Sequence, residues 1–162
     1  MNITIERAVE ATPNLERLVA ELNAVLGAAY PPHQRHGLAL EQLFEPHMRF
    51  FLGRLGGAAV GCGGVALFDD YAEVKRMYTR EEARGRGVAK ALLSRIEQQA
   101  RAAGAPILCL ETGTRQREAI GLYERMGFQR CGAFGPYAAM PADNIATSLF
   151  FTKALRPDQA RR

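Results

Sequence analysis

The feature that most constrains this chain is the run Arg84-Gly85-Arg86-Gly87-Val88-Ala89, set between an apolar strand pattern and an amphipathic helix pattern. A helix start presents N–H groups without intrahelical partners, together with the positive end of the helix dipole. Glycines let that backbone approach a bound group closely, so the combination is a ready anion site. Arg80, Arg84, Arg86 and Lys90 add positive charge around it. Upstream, residues 72–79 read as a strand. Downstream, Val88, Ala89, Leu92, Leu93, Ile96 and Ala100 recur at helical spacing to about residue 103, where Gly104 and Pro106 stop the helix.

Glycine loops of this kind serve several folds. A dinucleotide fingerprint needs a third glycine three positions after Gly87, where Lys90 stands, and a ribose-binding acid about 20 residues on, which residues 107–110 lack. A phosphate loop of the nucleotide triphosphatases needs Gly-Lys-Ser/Thr, which is absent. A plain helix start with incidental Gly and Arg is the simplest alternative.

The rest of the chain supplies the partners for a βαβ unit. Residues 2–8 predict an edge strand. Thr12-Pro13 predicts a helix start, with Leu15, Leu18, Val19, Leu22, Val25 and Leu26 at helical spacing and Gly27 as the stop. Residues 28–46 predict a loop with a short helix. Strands are expected at 48–55 and 58–68, joined by Gly56-Gly57, then at 72–79 after Asp69-Asp70. Further strands are expected at 107–110, 128–131 and 146–153, a helix at 115–126 ending on Gly127, and a Gly/Pro/Asp loop at 134–144. The expected class is α/β (α+β), one domain over 1–155 with a short frayed tail at 156–162.

Composition narrows the function. The 162 residues carry a formal charge of +4, enough for an anionic ligand but without the basic, aromatic-interleaved stripe that nucleic-acid binding needs. No run of about 18 apolar residues predicts a membrane span, and Glu6 and Arg7 interrupt the N-terminus where a signal peptide would be apolar. A cytoplasmic location is the expectation. Cys62, Cys109 and Cys131 are widely spaced among apolar neighbours and are expected to be reduced core thiols. His33 and His36 lack further ligands of metal-binding spacing, so no metal site is expected.

The glycine run, read with its neighbours, resembles the GNAT acetyltransferase superfamily. The family's pyrophosphate-binding signature, Q/R-x-x-G-x-G/A, is matched by Arg84, Gly87 and Ala89. Residues 119–128, with Ala119, Leu122, Tyr123, Gly127 and Phe128, are similar to the family's A-x-x-L-Y-x-x-x-G-F motif. The specific resemblance covers residues 58–131. It implies a mixed, mainly antiparallel twisted sheet flanked by helices, with acetyl-CoA in a cleft between two splayed central strands. It implies direct transfer of an acetyl group to a primary amine, with a small molecule favoured over a protein as acceptor. Many relatives are dimers, so a homodimer is also implied. A non-catalytic acyl-CoA-binding sensor is the alternative.

The resemblance also assigns roles. Arg84, Gly85, Arg86, Gly87, Val88 and Ala89 would hold the pyrophosphate, and the backbone of Met77, Tyr78 and Thr79 the pantetheine arm. Gln116 stands where many members carry Asn for a cofactor contact. Tyr123 is similar in position to the tyrosine that protonates the leaving thiolate. Glu73 on the central strand is the first candidate for the base that deprotonates the amine, and Glu111 its rival. Strand alternation would put Glu73, Lys75 and Met77 on one face, and Val74, Arg76 and Tyr78 on the other. The acceptor pocket is expected from residues 30–36 and 134–144, with Tyr30, His33, Phe134, Tyr137 and Asp143 as its contacts.

Overall fold

A computed structural model describes residues 1–155; the expected tail at 156–162 lies outside the described residues. Among the described residues seven strands form one sheet in the order β1-β2-β3-β4-β5-β7-β6. They are β1 (Ile3–Ala8), β2 (Met48–Leu55), β3 (Ala58–Leu67), β4 (Ala72–Thr79), β5 (Ile107–Gly113), β6 (Gln129–Cys131) and β7 (Ser148–Ala154). All neighbouring pairs are antiparallel except β4 with β5. The helices are α1 (Pro13–Ala29), α2 (Val88–Ala102) and α3 (Arg117–Arg125).

The stripe expected of α2 is buried and that of α1 in large part, although Val25 stays exposed; α3 buries Tyr123 alone. Val88, Leu92, Leu93, Ile96 and Ala100 of α2 pack with Phe51, Val65, Val74, Leu108, Leu110 and Phe151. Leu15, Leu18 and Val19 of α1 pack with Phe50, Leu52, Cys62 and Ala66. Phe50 and Phe51, adjacent in β2, therefore belong to different clusters, as strand alternation requires. Each such buried side chain contributes roughly 1.5–3 kcal/mol relative to exposure. Cys62 and Cys109 are buried free thiols, and Cys131 is half-buried; burial pushes the Cys62 thiol up to about 12.

Three expectations are corrected. Gly27 does not end α1, which runs on to Ala29; Thr12 caps its start by accepting from Leu15 N at 3.4 Å. The stop is Pro31-Pro32, because a residue before proline is pushed out of the helical region. β5 does not end at residue 110. It continues through Glu111, Thr112 and Gly113, which pair with Phe150, Leu149 and Ser148 of β7. This extension is what carries Glu111 into the sheet.

The third correction concerns β4. Cys62 pairs with Tyr78 and Gly64 with Lys75, so Gly63 alone faces both Arg76 and Met77. Arg76 takes φ 56°, the left-handed region, and the strand bulges there. The expected alternation fails at that point. Met77 joins the α2 cluster with Val74, while Tyr78 packs with the α1 cluster and Arg76 reaches Asn23 of α1. One inserted residue thus exchanges the faces of everything after it.

Candidate active site

The one parallel seam among the described residues is also an incomplete one. β4 and β5 pair through Ala72 with Leu108 and Glu73 with Cys109, and no further. β4 continues to Thr79 against β3, and β5 continues to Gly113 against β7. The two strands therefore part, and backbone groups along their facing edges are left without strand partners. A cavity of about 120 Å³ lies at this gap. Glu73, Lys75, Arg76 and Met77 of β4 line it, with Glu111 of β5, Tyr123 and Gln116, and Tyr30, His36 and Tyr137 from the two connecting segments.

Tyr123 reaches the cavity from α3 while its ring stays in the core, 5.9 Å from Phe128 and 6.3 Å from Phe151 between ring centroids. Among the described residues its hydroxyl finds no hydrogen-bond partner. Burial first, and then the negative charge of Glu111, hold the phenol well above its ordinary pKa. Burial also raises the Glu111 carboxyl above the usual carboxylate range, opposed by the Ser148 hydroxyl and by His36 and Lys75.

Glu73 is placed differently. It is 3% exposed, and its Oε2 accepts from Tyr137 Oη at 2.7 Å and pairs with Lys75 Nζ at 2.8 Å. Lys75 Nζ also donates to Tyr137 Oη at 3.1 Å, closing a buried triad. Phe134, Phe150 and His36 surround the Tyr137 ring at 5.2, 5.3 and 5.4 Å. Tyr30 is buried, donates to Gln116 Oε1 at 3.0 Å and accepts from Arg115 N at 2.9 Å. Its phenol lies where a Cβ on Gly113 would stand, so that glycine admits the ring.

Beyond Thr79, Arg84 Nε donates to the Thr79 carbonyl at 3.2 Å and ties the glycine turn to the end of β4. Gly85 at φ 77° and Gly87 at φ 92° occupy the left-handed region, and Gly87 caps α2. No heavy atom lies within 4 Å of where a Gly85 Cβ would be, so the turn's backbone is open to a ligand. Val88 is buried beneath it, and Arg84 sits 3.6 Å from Glu118. The open strand edges and the bare helix start fit an acyl thioester on a pantetheine arm with a pyrophosphate at its far end.

The structure does not bring all the expected acceptor contacts to the cavity. His33 and Asp143 pair with each other at 2.6 Å on the surface, joining the two segments, and Phe134 packs behind Tyr137 against Tyr71. Tyr78 turns its hydroxyl to Glu21 at 3.0 Å; the Tyr78 and Arg80 contacts hold the Glu21 carboxylate below its usual range, Arg80 most of all. Lys75 and Arg76 line the cavity without having been singled out as site residues, while Arg35 and His36 line it from within the expected 30–36 segment. Arg76 carries no distinguishing sequence signal, because Glu73 and Lys75 are charged positions of the same strand.

This constellation defines an acyl-CoA-dependent transferase: a splayed parallel seam, a glycine turn opening a helix, and a buried phenol between them. The family model described as acetyltransferase (GNAT) family matches residues 15–128. An IAA acetyltransferase of Azospirillum brasilense is 42% identical over 95% of this chain and 99% of its own length. An uncharacterized N-acetyltransferase of Bacillus subtilis (strain 168) is 37% identical over 77% of this chain and 82% of its own. A crystal structure from Klebsiella pneumoniae, assigned as an acyl-CoA N-acyltransferase, superposes with a TM-score of 0.79 at 33% identity, covering 95% of this chain and 98% of that one. The chain belongs to the GNAT acetyltransferase family. It is an N-acetyltransferase that uses acetyl-CoA. No helix among the described residues is long and apolar enough to cross a membrane.

Proposed function

We propose that the acceptor is a small-molecule amine seated in the cavity at the β4–β5 gap, with Glu111 taking its proton and Tyr123 supplying one to the leaving group. The observation that carries this reading is that one cavity gathers Glu111, Tyr123 and the bulge of β4 at the point where the strands part. Its volume of about 120 Å³ suits a small acceptor group better than a folded protein surface. The Azospirillum relative's name, IAA acetyltransferase, supports the same choice.

Acetyl-CoA supplies an activated thioester carbonyl and a thiolate leaving group. Backbone N–H groups of residues 86–89 would hold its pyrophosphate, and those of residues 77–79 its pantetheine arm. Gln116 offers an amide beside that arm, held in place by Tyr30. Tyr123 keeps its proton on Oη because burial disfavours the phenolate, so the proton is available to a departing sulfur. An ammonium has no lone pair, so the bound amine must lose a proton. Glu111 is the better acceptor because its carboxyl is raised toward neutrality and makes no ion pair among the described residues. Glu73 already receives Tyr137 and Lys75 on one oxygen and acts as the anchor that orients both.

The test is coenzyme A thiol release over a panel of small amines, followed by pH profiles of Glu111→Gln and Glu73→Gln. Only ionised Glu111 is a base, so wild-type kcat/KM should climb with pH through a titration lying above 4.5, the ordinary value for a glutamate. Glu111→Gln should lose that limb and follow the amine's own deprotonation at higher pH. If the Glu73 variant alone changes its profile, the base is Glu73.

A further inference from the structure

Arg76 sits at the bulge of β4 and is 8% exposed, yet it has no acidic partner among the described residues. Its one side-chain contact is with the neutral amide oxygen of Asn23. Its Nε is buried without any hydrogen-bond partner among the described residues. The rest of the guanidinium lies over Gly37, where a Cβ would collide with it. Arginine keeps its charge in proteins, and a buried charge is normally paired. Burial works against the Arg76 cation.

The orphan cation borders the acceptor cavity and also a second cavity between α1 and the segment that follows it. Arg35 borders both cavities as well, and no ion pair occupies it among the described residues. Within the acceptor cavity, Glu73 and Lys75 neutralise each other at 2.8 Å. That leaves one carboxylate, Glu111, and two guanidiniums, Arg35 and Arg76, among the charged lining. A polycationic amine would meet like charge there. An amine that also carries a carboxylate would complete the balance and give Arg76 the forked partner that its geometry suits.

We infer that the acceptor is an amino carboxylate, with Arg76, assisted by Arg35, binding the carboxylate while the amine faces Glu111. The inference rests on the reading of this cavity as the acceptor pocket. Because Arg76 would touch substrate and not the transferring atoms, its loss should act on acceptor affinity before turnover.

The experiment uses the full chain and a panel of free α-amino acids with their methyl esters, which keep the amine and remove the negative charge. Coenzyme A release is followed for each pair, and amine-free carboxylates of matching side chains are titrated calorimetrically against the enzyme with coenzyme A present. Wild type should favour the acid over its ester by about 10²-fold in kcat/KM, on the scale of a buried charge pair. Arg76→Gln should bring that ratio near unity, through acceptor KM, and abolish carboxylate binding in the calorimeter. Arg76→Lys should restore part of both. The thermal shift given by acetyl-CoA should survive in each variant, which separates a lost subsite from a lost fold. Esters turned over as well as acids by wild type, carboxylates that bind Arg76→Gln as tightly as wild type, or no carboxylate binding at all would each overturn the inference. The proposed acceptor site itself fails only if no small amine, acid or ester, releases coenzyme A.

Discussion

β4 leads into two functional regions built by different means. Past Thr79, the glycine turn at residues 84–89 offers backbone: two glycines in the left-handed region and a helix start that Gly87 caps without a side-chain hydrogen bond. Before Thr79, the cavity works through side chains gathered from distant parts of the chain: Glu73 and Lys75 from β4, Glu111 from β5, Tyr123 from α3, Tyr30 and Tyr137 from connecting segments. Backbone groups are the same in every protein, so the turn suits the part of the cofactor that never varies. Side chains can differ, so in the proposed reading the cavity is where the acceptor is chosen.

The comparison breaks most sharply at a single oxygen. In the side-chain region Tyr123→Phe should keep the fold, because the ring's packing against Phe128 and Phe151 is untouched. It should keep acetyl-CoA affinity too, while kcat falls by about 10²-fold, the low end of what a general acid contributes. Unchanged kcat in steady-state assays would return Tyr123 to the core alone.

In the backbone region no functional atom can be deleted, so the sharper test is to forbid the conformation. Gly87 holds φ 92°, which an L residue adopts only under strain. Gly87→Val should cost about 1–3 kcal/mol in that turn and weaken acetyl-CoA by roughly 10- to 100-fold. Acceptor selectivity among amines should stay level. Calorimetry with acetyl-CoA checks the first, and competition between two acceptors the second.

The same contrast explains what the sequence could disclose. Arg84, Gly87 and Ala89 are close together, so a helix-start anion site is legible along the chain, and the resemblance supplies its proposed ligand. The Tyr123 position is legible through the same resemblance, carried by Ala119, Leu122 and Gly127 around it. The end of β5 is not, because Glu111-Thr112-Gly113 has no strand pattern of its own and is recruited by pairing with β7. The bulge at Arg76 is not, because nothing local marks one extra residue opposite Gly63. Both escape a reading based on periodicity, and both place charged groups in the cavity. The stop of α1 was misjudged in a simpler way: Gly27 reads as a terminator, but Pro31-Pro32 provides the actual block four residues later.

The smallest expected effect concerns the rim of the cavity. His33 and Asp143 meet at 2.6 Å, and Gln34 Nε2 adds a bond to the Asp143 carbonyl at 2.9 Å. Further in, His36 Nε2 lies 2.8 Å from the Asn144 carbonyl, so the two connecting segments are fastened at several points. Both His33 and Asp143 are largely exposed, with side chains 47% and 74% accessible. An exposed pair is well screened and contributes less than about 1 kcal/mol. His33→Ala should therefore lower Tm by no more than about 3 °C for a domain of this size. Its functional effect should be a few-fold rise in acceptor KM, because loosening the rim disturbs the position of Tyr137 without touching Glu111 or Tyr123. Acetyl-CoA affinity should not move, since the glycine turn lies elsewhere. Had either residue bound the acceptor directly, Asp143→Ala would instead raise KM far more than His33→Ala. Equal, small effects from the two variants identify a clasp; unequal ones put Asp143 in the pocket.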